Sequence, residues 1–418
     1  MADAPLSWSD LQAHAACEPD RHEGPTNPQA GLRLFGQRES AVRVTLFRDH
    51  HAWCPYCQKI WLWLEERRIP YRIRKVTMFC YGEKEAWFKR LVPSGMLPAV
   101  ELDGRLITES DRILEALEGA FGSLGPGMGQ PEVMPLRRLE RQLFQAWCQW
   151  LCYPHGTRSD AAAADQFRRV AEAMEKALRS RGGPFLLGSA LSTADVVFVP
   201  YVERMSASLA YYKGYLLRQR HPAIHRWFCA LEQRSTYLGT QSDFHTHAHD
   251  LPPQMGGCYA NGLPEQRLLA QRIDQGPWPV GGSTEFDPET TQIAPADAAA
   301  VALSRVLRHR FTLITRNPLP DALFDQALRC ALSQLVLGTE VAPPPGSAPG
   351  LRYLRDRISV PRDMPLHAAR LMRQSLERTA SRDPLDPSAP GPGLPLQHRR
   401  DQDPAPFVAA AIARSPIA

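Results

Sequence analysis

A strand-like run that empties into Cys54-Pro55-Tyr56-Cys57 and continues as an amphipathic helix constrains this chain more than any other stretch. Val42 to Phe47 largely alternates apolar and polar residues at period two, the mark of a half-buried strand, and Arg48 to Trp53 reads as a short loop. Beyond the loop, Ile60, Trp61 and Leu64 turn to the core, Glu65-Glu66-Arg67-Arg68 turn to solvent, and Ile69-Pro70 stops the helix. Cys54 then falls at the N-cap and Pro55 at the first helical position, where the missing N–H is no loss. The unpaired N–H groups and the helix dipole at that end favour an anion, which suits a nucleophilic sulfur at Cys54. Cys57, one turn further in, is expected to be less exposed and harder to ionise.

Other uses of a C-x-x-C pair make distinct demands. A structural zinc site needs a second pair at ligand spacing, and the chain has none, so no metal is expected. A static disulfide needs an oxidising compartment. Nine cysteines, an odd number without a framework of spacings, fit a reducing interior instead. The net charge of +5 over 418 residues, with no long basic block, implies neither nucleic acid nor an anionic membrane as partner. No run of eighteen apolar residues occurs. Asp3, Asp10, Glu18, Asp20 and Glu23 in the opening segment fit neither a signal nor a transit peptide, so a cytoplasmic location is expected, with the plastid stroma as the other reducing compartment.

Tyr71 to Val76 reads as a second strand, which a helical crossover makes parallel to the first. Glu83 to Leu91 looks helical. Ala99 to Leu102 and Arg105 to Thr108 flank Asp103-Gly104 as a hairpin, and Glu109 to Phe121 closes the unit as a helix. Helices follow at about 131–153 and 162–179. Ser192 and Asp195 form a capping box for the next, which Pro200 is expected to kink, and 221–234 is a further helix. His50 and His51, and the alternating His245, His247 and His249, read as solvated loop residues. Cys258 lies in a turn. Pro295 to Leu307, Pro320 to Leu337 and Pro365 to Thr379 each open on a proline and read as helices, whereas 383–406 is rich in Pro, Asp and Arg and reads as disordered, with a short apolar segment at 407–413.

The β-α-β-α-β-β-α order with C-x-x-C after the first strand resembles a thioredoxin-like domain, and residues 42–121 resemble the N-terminal domain of glutathione transferases, in particular their omega-like, cysteine-containing branch. The resemblance implies a cis Pro98 before the third strand, with Leu97 offering its backbone to glutathione. It implies that Glu109-Ser110 holds the γ-glutamyl group and that Lys84, with Trp87 three residues on, matches the branch's lysine. A tripeptide with an ammonium and two carboxylates requires such a set of anion, cation, hydroxyl and strand edge. At Cys57 the sequence departs from that branch, since Cys-Pro-Tyr-Cys is what dithiol glutaredoxins carry. Trp53, Trp147, Trp150, Tyr153 and Tyr211 are the aromatic candidates for a second-substrate pocket.

The expected fold is thus an α/β thioredoxin-like domain, then an all-α glutathione-transferase domain and an α-helical extension. The divisions fall at 1–40 for an N-terminal extension, 41–122 for the glutathione-binding domain, 130–240 for the all-helical domain, 241–381 for the extension and 382–418 for a largely disordered tail. The resemblance implies a glutathione-dependent thiol transferase with Cys54 as nucleophile, Cys57 as a candidate resolving thiol, glutathione as co-substrate, and a small-molecule or protein disulfide as second substrate. It also implies a homodimer. The rival readings are a dehydroascorbate or glutathionyl-conjugate reductase, and a non-catalytic assembly protein using the C-terminal extension.

Overall fold

The structure, a computed structural model, describes residues 4–274 and 287–385, and they divide into two compact units. The larger comprises residues 19–267 and 287–292. Its sheet has five strands, β1 (Leu32–Arg33), β2 (Val44–Asp49), β3 (Tyr71–Val76), β4 (Ala99–Leu102) and β5 (Arg105–Thr108), in the order β1-β3-β2-β4-β5. β2 runs parallel to β3, with Leu46 opposite Ile73, and antiparallel to β4, with Leu46 opposite Val100. The β4–β5 hairpin turns on Asp103 and Gly104, both at positive φ (51° and 77°), the two left-handed residues that match the twist of paired strands.

The sequence pattern carries no sign of β1, because two residues hold no periodicity. It joins the sheet antiparallel to β3. A buried ion pair fixes it there: Arg33 Nε lies 2.9 Å from Glu65 Oε1, and Glu65 also accepts from the Thr26 hydroxyl at 2.8 Å and the Tyr71 hydroxyl at 2.7 Å. With Arg33 Nη2 donating to Glu65 Oε2 at 3.0 Å, each carboxylate oxygen accepts two bonds, which is what makes a buried charge tolerable.

Helices cover the sheet. Pro55–Glu66 seals Ile60, Leu62, Trp63 and Leu64 from solvent, and it also buries the polar Gln58, Lys59 and Glu65, the last of which the sequence pattern turns to solvent. The helix expected from Glu83 begins later and spans only Ala86–Leu91, because Lys84 and Glu85 are engaged with Thr77. Ser110–Phe121 follows the hairpin, with Ile113, Leu114 and Leu117 inward. The all-helical part then runs through Met134–Leu151, Thr157–Arg179, Thr193–Lys213, Pro222–Leu231 and Phe244–Met255. Thr193–Lys213 is buried along its whole length. Its start is set by Asp195, whose carboxylate accepts from the Ser192 N–H and hydroxyl at 3.0 and 2.7 Å and from Trp227 Nε1 at 3.0 Å. It continues through Pro200 to Lys213.

Two expectations fail here. The His245-His247-His249 run is not a solvated loop but the first turns of the Phe244–Met255 helix, and all three rings are buried. Asp243 caps this helix through the Thr246 N–H at 2.8 Å, and the Tyr212 and Tyr81 hydroxyls bond the Ala248 and Asp250 carbonyls at 2.7 and 2.8 Å. Tertiary contact outweighs the paired prolines Pro252 and Pro253 near the helix end. His51 is likewise buried, stacked on Trp53 with ring centroids 4.5 Å apart, while His50 stays exposed as expected.

The second unit contains residues 4–18, 268–274 and 293–385 of the described chain. Its helices Asp321–Leu337 and Leu366–Ala380 occupy the expected places, with Pro320 and Pro365 one position earlier, as N-caps, whereas the helix expected over 295–307 starts and ends later, at Ala298–Thr315. Ala348–Arg357 is a further helix that the sequence pattern did not disclose. Leu303, Leu328, Leu332, Leu351, Met372 and Leu376 form a sealed core, joined by Leu11 from the short helix Trp8–Ala13. Trp8 Nε1 donates to Asp325 at 2.9 Å. The expected disordered stretch lies outside the described residues from 386 on, as does the apolar segment 407–413.

Candidate active site

The end of β2 and the start of the Pro55–Glu66 helix bring the central residues together. Cys54 is the N-cap, with φ −71° and ψ 118°, and Pro55 opens the helix, as the sequence requires. The turn into it is strained at Ala52, a non-glycine residue at φ 61°. Two bonds clamp the peptide before the cysteine. The Asp49 carboxylate accepts from the Trp53 N–H at 2.7 Å, and Arg204 Nη2 donates to the Trp53 carbonyl at 2.6 Å.

Cys54 and Cys57 are both free thiols and both largely buried. Burial, reinforced by a hydrogen bond with Cys54, pushes the Cys57 thiol well up, as its place one turn inside the helix predicts. A carboxylate oxygen of Asp49 and the two sulfurs lie within 4.8 Å of one another. Asp49 is fully buried, and its Oδ1 meets no hydrogen-bond donor. Asp49 is not among the site residues that the sequence pattern points to. Its signal is a carboxylate at the last position of the strand, five residues before Cys54. The same three atoms also make a donor set of the kind a thiophilic cation takes.

Cys54 opens onto a cavity of about 180 Å³ lined by Tyr56, Met78, Lys84, Leu97, Trp147, Tyr201 and Arg204 among others. The Leu97–Pro98 peptide is cis, as the resemblance implies. Lys84 Nζ donates to the Thr77 carbonyl at 2.8 Å, and partial burial lowers its pKa while the neighbouring sulfurs oppose that shift. Glu109 holds φ 66°, a strained conformation for a side chain of its size, immediately before the buried Ser110 that begins its helix.

The five aromatic candidates part company. Trp147 lines the cavity. Trp53 is sealed between His51 and Tyr81, Trp150 packs on Phe167 and Tyr215, and Tyr211 lies against Tyr212 and His249. Tyr153 is exposed. Phe144 and Tyr201, which the sequence analysis did not select, line the cavity together with Trp147, and the Arg141 guanidinium lies over both rings at 4.8 and 4.9 Å.

Arg204 anchors a buried polar chain behind the site. It donates to Gln58 Oε1 and the Pro200 carbonyl, both at 2.7 Å. Gln58 reaches Glu203 at 3.4 Å, and Glu203 Oε1 lies 2.9 Å from His247 Nε2 and accepts from the Ser242 N–H at 3.0 Å. Burial and Arg204 work against charge on His247, yet the Asp250 and Glu203 carboxylates raise its pKa on balance.

Residues 53–120 match the family model for the glutathione S-transferase N-terminal domain, and residues 136–228 match that for the C-terminal domain. The two matched segments fall on the sheet-bearing part and the helical part of the larger unit and together cover less than half of the chain. Among its relatives, glutathione S-transferase DHAR2 of Arabidopsis thaliana is 26% identical over 190 residues, covering 45% of this chain and 84% of the relative. Glutathione S-transferase DHAR3, chloroplastic, of the same plant is 24% identical over 46% of this chain and 69% of its own. A trimeric glutathione transferase of Leishmania, TDR1, aligns with a TM-score of 0.45 at 20% identity, covering 56% of this chain and 51% of that one.

Glutathione S-transferases are glutathione-dependent enzymes, so the thioredoxin-like sheet domain and the helical domain after it belong to an enzyme with glutathione as co-substrate. The helices of residues 298–380 lie beyond both matched segments. None of the described helices is long and apolar enough to cross a membrane.

Proposed function

We propose that this chain is a glutathione-dependent thiol transferase in which Cys54 exchanges the glutathionyl group. The observation that carries the reading is the placement of the Cys54 sulfur at a helix N-terminus, opening on a cavity it shares with Lys84 and Leu97. The Cys54 thiolate attacks the glutathionyl sulfur of a mixed disulfide. The substrate leaves as its thiolate and takes up a proton, and Cys54 becomes glutathionylated. A second glutathione thiolate then attacks the glutathionyl sulfur, giving glutathione disulfide and restoring Cys54.

Cys57 offers the other route. With the Asp49 carboxylate taking its proton, Cys57 attacks Cys54 Sγ and releases glutathione, and two further glutathione molecules reduce the Cys54–Cys57 disulfide. The proximity of the three groups supports this. Glutathione itself is read as lying along the Leu97 backbone, with Lys84 toward a carboxylate and Glu109 and Ser110 about the γ-glutamyl end. The strain at Glu109 is of the kind found at ligand clamps.

Cavity size favours a second reading of the acceptor. About 180 Å³ falls below the ~300 Å³ at which pockets for drug-sized ligands begin. A small oxidised acceptor such as dehydroascorbate fits it better than a folded protein does. A protein disulfide would have to enter as a flexible segment.

Wild type, Cys54→Ser and Cys57→Ser are to be assayed with glutathione, using a glutathionylated peptide and dehydroascorbate as alternative acceptors. Loss of both activities in Cys54→Ser alone supports the monothiol route, and loss of peptide turnover in both variants supports the dithiol route. A wild type that neither binds glutathione nor turns over either acceptor sinks the proposal in favour of the assembly role.

A further inference from the structure

A second group of thiols lies apart from Cys54 and Cys57. Cys152 caps the C-terminal end of the Met134–Leu151 helix, Cys148 lies one turn earlier, and Cys258 lies in the irregular segment that follows Gly256 and Gly257. The Cys148 and Cys152 side chains hydrogen-bond to one another, and Cys152 also hydrogen-bonds to Cys258. Backbone geometry brings the last two together independently: the Tyr259 N–H donates to the Leu151 carbonyl at 2.9 Å, so Cys152 and Cys258 flank that bond. The Asn261 N–H bonds the Tyr212 carbonyl at 3.0 Å and holds the segment from its other side. Cys148 and Cys152 are partly exposed, so a small oxidant reaches them, while Cys258 is buried against them.

We propose that Cys152 and Cys258 form a reversible disulfide, a redox modification site separate from the C-x-x-C pair. The oxidant class is a low-molecular-weight disulfide such as glutathione disulfide. The Cys152 thiolate attacks one of its sulfurs and releases one glutathione. Cys258, deprotonated, then attacks Cys152 Sγ and releases the second, so two protein thiols are oxidised and one disulfide is reduced to two thiols. A Cys148–Cys152 bridge is the poorer pairing, because residues four apart on a helix aim their Cβ atoms the same way instead of at each other. The hydrogen bond with Cys148 pulls the Cys152 thiol down, but the hydrogen bond with Cys258 and partial burial outweigh it and push it up to about 12, so the pair reacts slowly. Once formed, the bridge ties the irregular segment around Cys258 to the helix that carries Trp147 into the cavity.

The full-length chain is to be incubated with glutathione disulfide, its remaining thiols alkylated, and the protein digested with trypsin without reduction. Cys148 and Cys152 share one tryptic peptide, residues 142–158, and Cys258 lies in another, residues 235–267. The expected result is a dithiothreitol-sensitive cross-link between these two peptides that persists in Cys54→Ser and Cys148→Ser. It is expected to disappear when the protein is unfolded in urea before oxidation. Recovery of the two peptides unlinked from the folded wild type, or linkage only between Cys148 and Cys152, overturns the proposal. Because the cross-link is read on the wild type, the result does not depend on any variant folding, and its persistence in Cys54→Ser separates it from the transferase chemistry.

Discussion

Arg204 Nη2 lies 2.6 Å from the carbonyl of Trp53, so a cation from the middle of the helical domain fixes the residue immediately before Cys54, the proposed nucleophile. Asp49 holds the N–H of the same residue from the sheet side. The turn that carries Cys54 is thus held from the sheet and from the helices at once. Its geometry is expected to respond to substitutions that never touch substrate.

Replacing Arg204 with lysine keeps the charge but loses the planar fork that serves Trp53, Gln58 and Pro200 together. A loss of about 2–4 kcal/mol in urea unfolding is expected, since buried charge-assisted bonds run to about 1.5–3 kcal/mol each and the substitution breaks more than one. Turnover should fall along with stability. Wild-type stability in Arg204→Lys contradicts the assigned network.

Asp49→Asn preserves a carbonyl to accept from the Trp53 N–H but removes the carboxylate charge beside Cys57. Resolution of glutathionylated Cys54 by Cys57, followed by quenched mass spectrometry, is expected to slow by about 10²-fold, the low end for a lost general base. Turnover through a second glutathione should change far less. Equal slowing of both routes would mean that Asp49 acts only by holding the turn.

Glu65→Gln tests how the strand that precedes the C-x-x-C domain is held. Arg33 would keep its burial without its counter-charge, and a cost of about 3–5 kcal/mol in chemical denaturation is expected. Because the site lies elsewhere in the unit, the folded fraction should keep wild-type activity per molecule.

His247 gives a pH signature. Its folded pKa lies above the ordinary 6.5, so its contribution to stability is fully present below 6.5 and is lost as pH rises through the raised value. The stability gap between wild type and His247→Gln should therefore be widest in mild acid and narrow on the alkaline side. The change is about 1.4 kcal/mol per unit of pKa elevation. Melting temperatures of both proteins across pH 5–9, on a scale where a kcal/mol shifts the midpoint by about 2–4 °C, are sufficient to read it. A gap that widens with pH excludes a protonated His247 in the folded chain.

Local chemistry makes the Cys54 turn legible. A proline at the first helical position and two cysteines a turn apart are short-range features, and the structure keeps both. The strand before them keeps its place, but it runs on through Arg48 and Asp49 and is buried on both faces, not half-buried. Asp103-Gly104 wrote the hairpin for the same reason. The histidines at 245–249 were misread because a polar run beside two prolines has no intrinsic reason to be helical. It becomes a buried helix only once the helix at 193–213 and two tyrosine hydroxyls lie against it.

The place of the Cys54 sulfur at its helix start, with Cys57 one turn on, is written in a few adjacent residues, since capping and the helix dipole act over that range. Long-range packing alone brings the Arg204 guanidinium to that turn and makes Trp147, not Trp150 or Tyr211, face the cavity. Burial and charge proximity are set by segments far apart in the chain, 151 positions in the case of Arg204 and Trp53. No local pattern encodes such a distance.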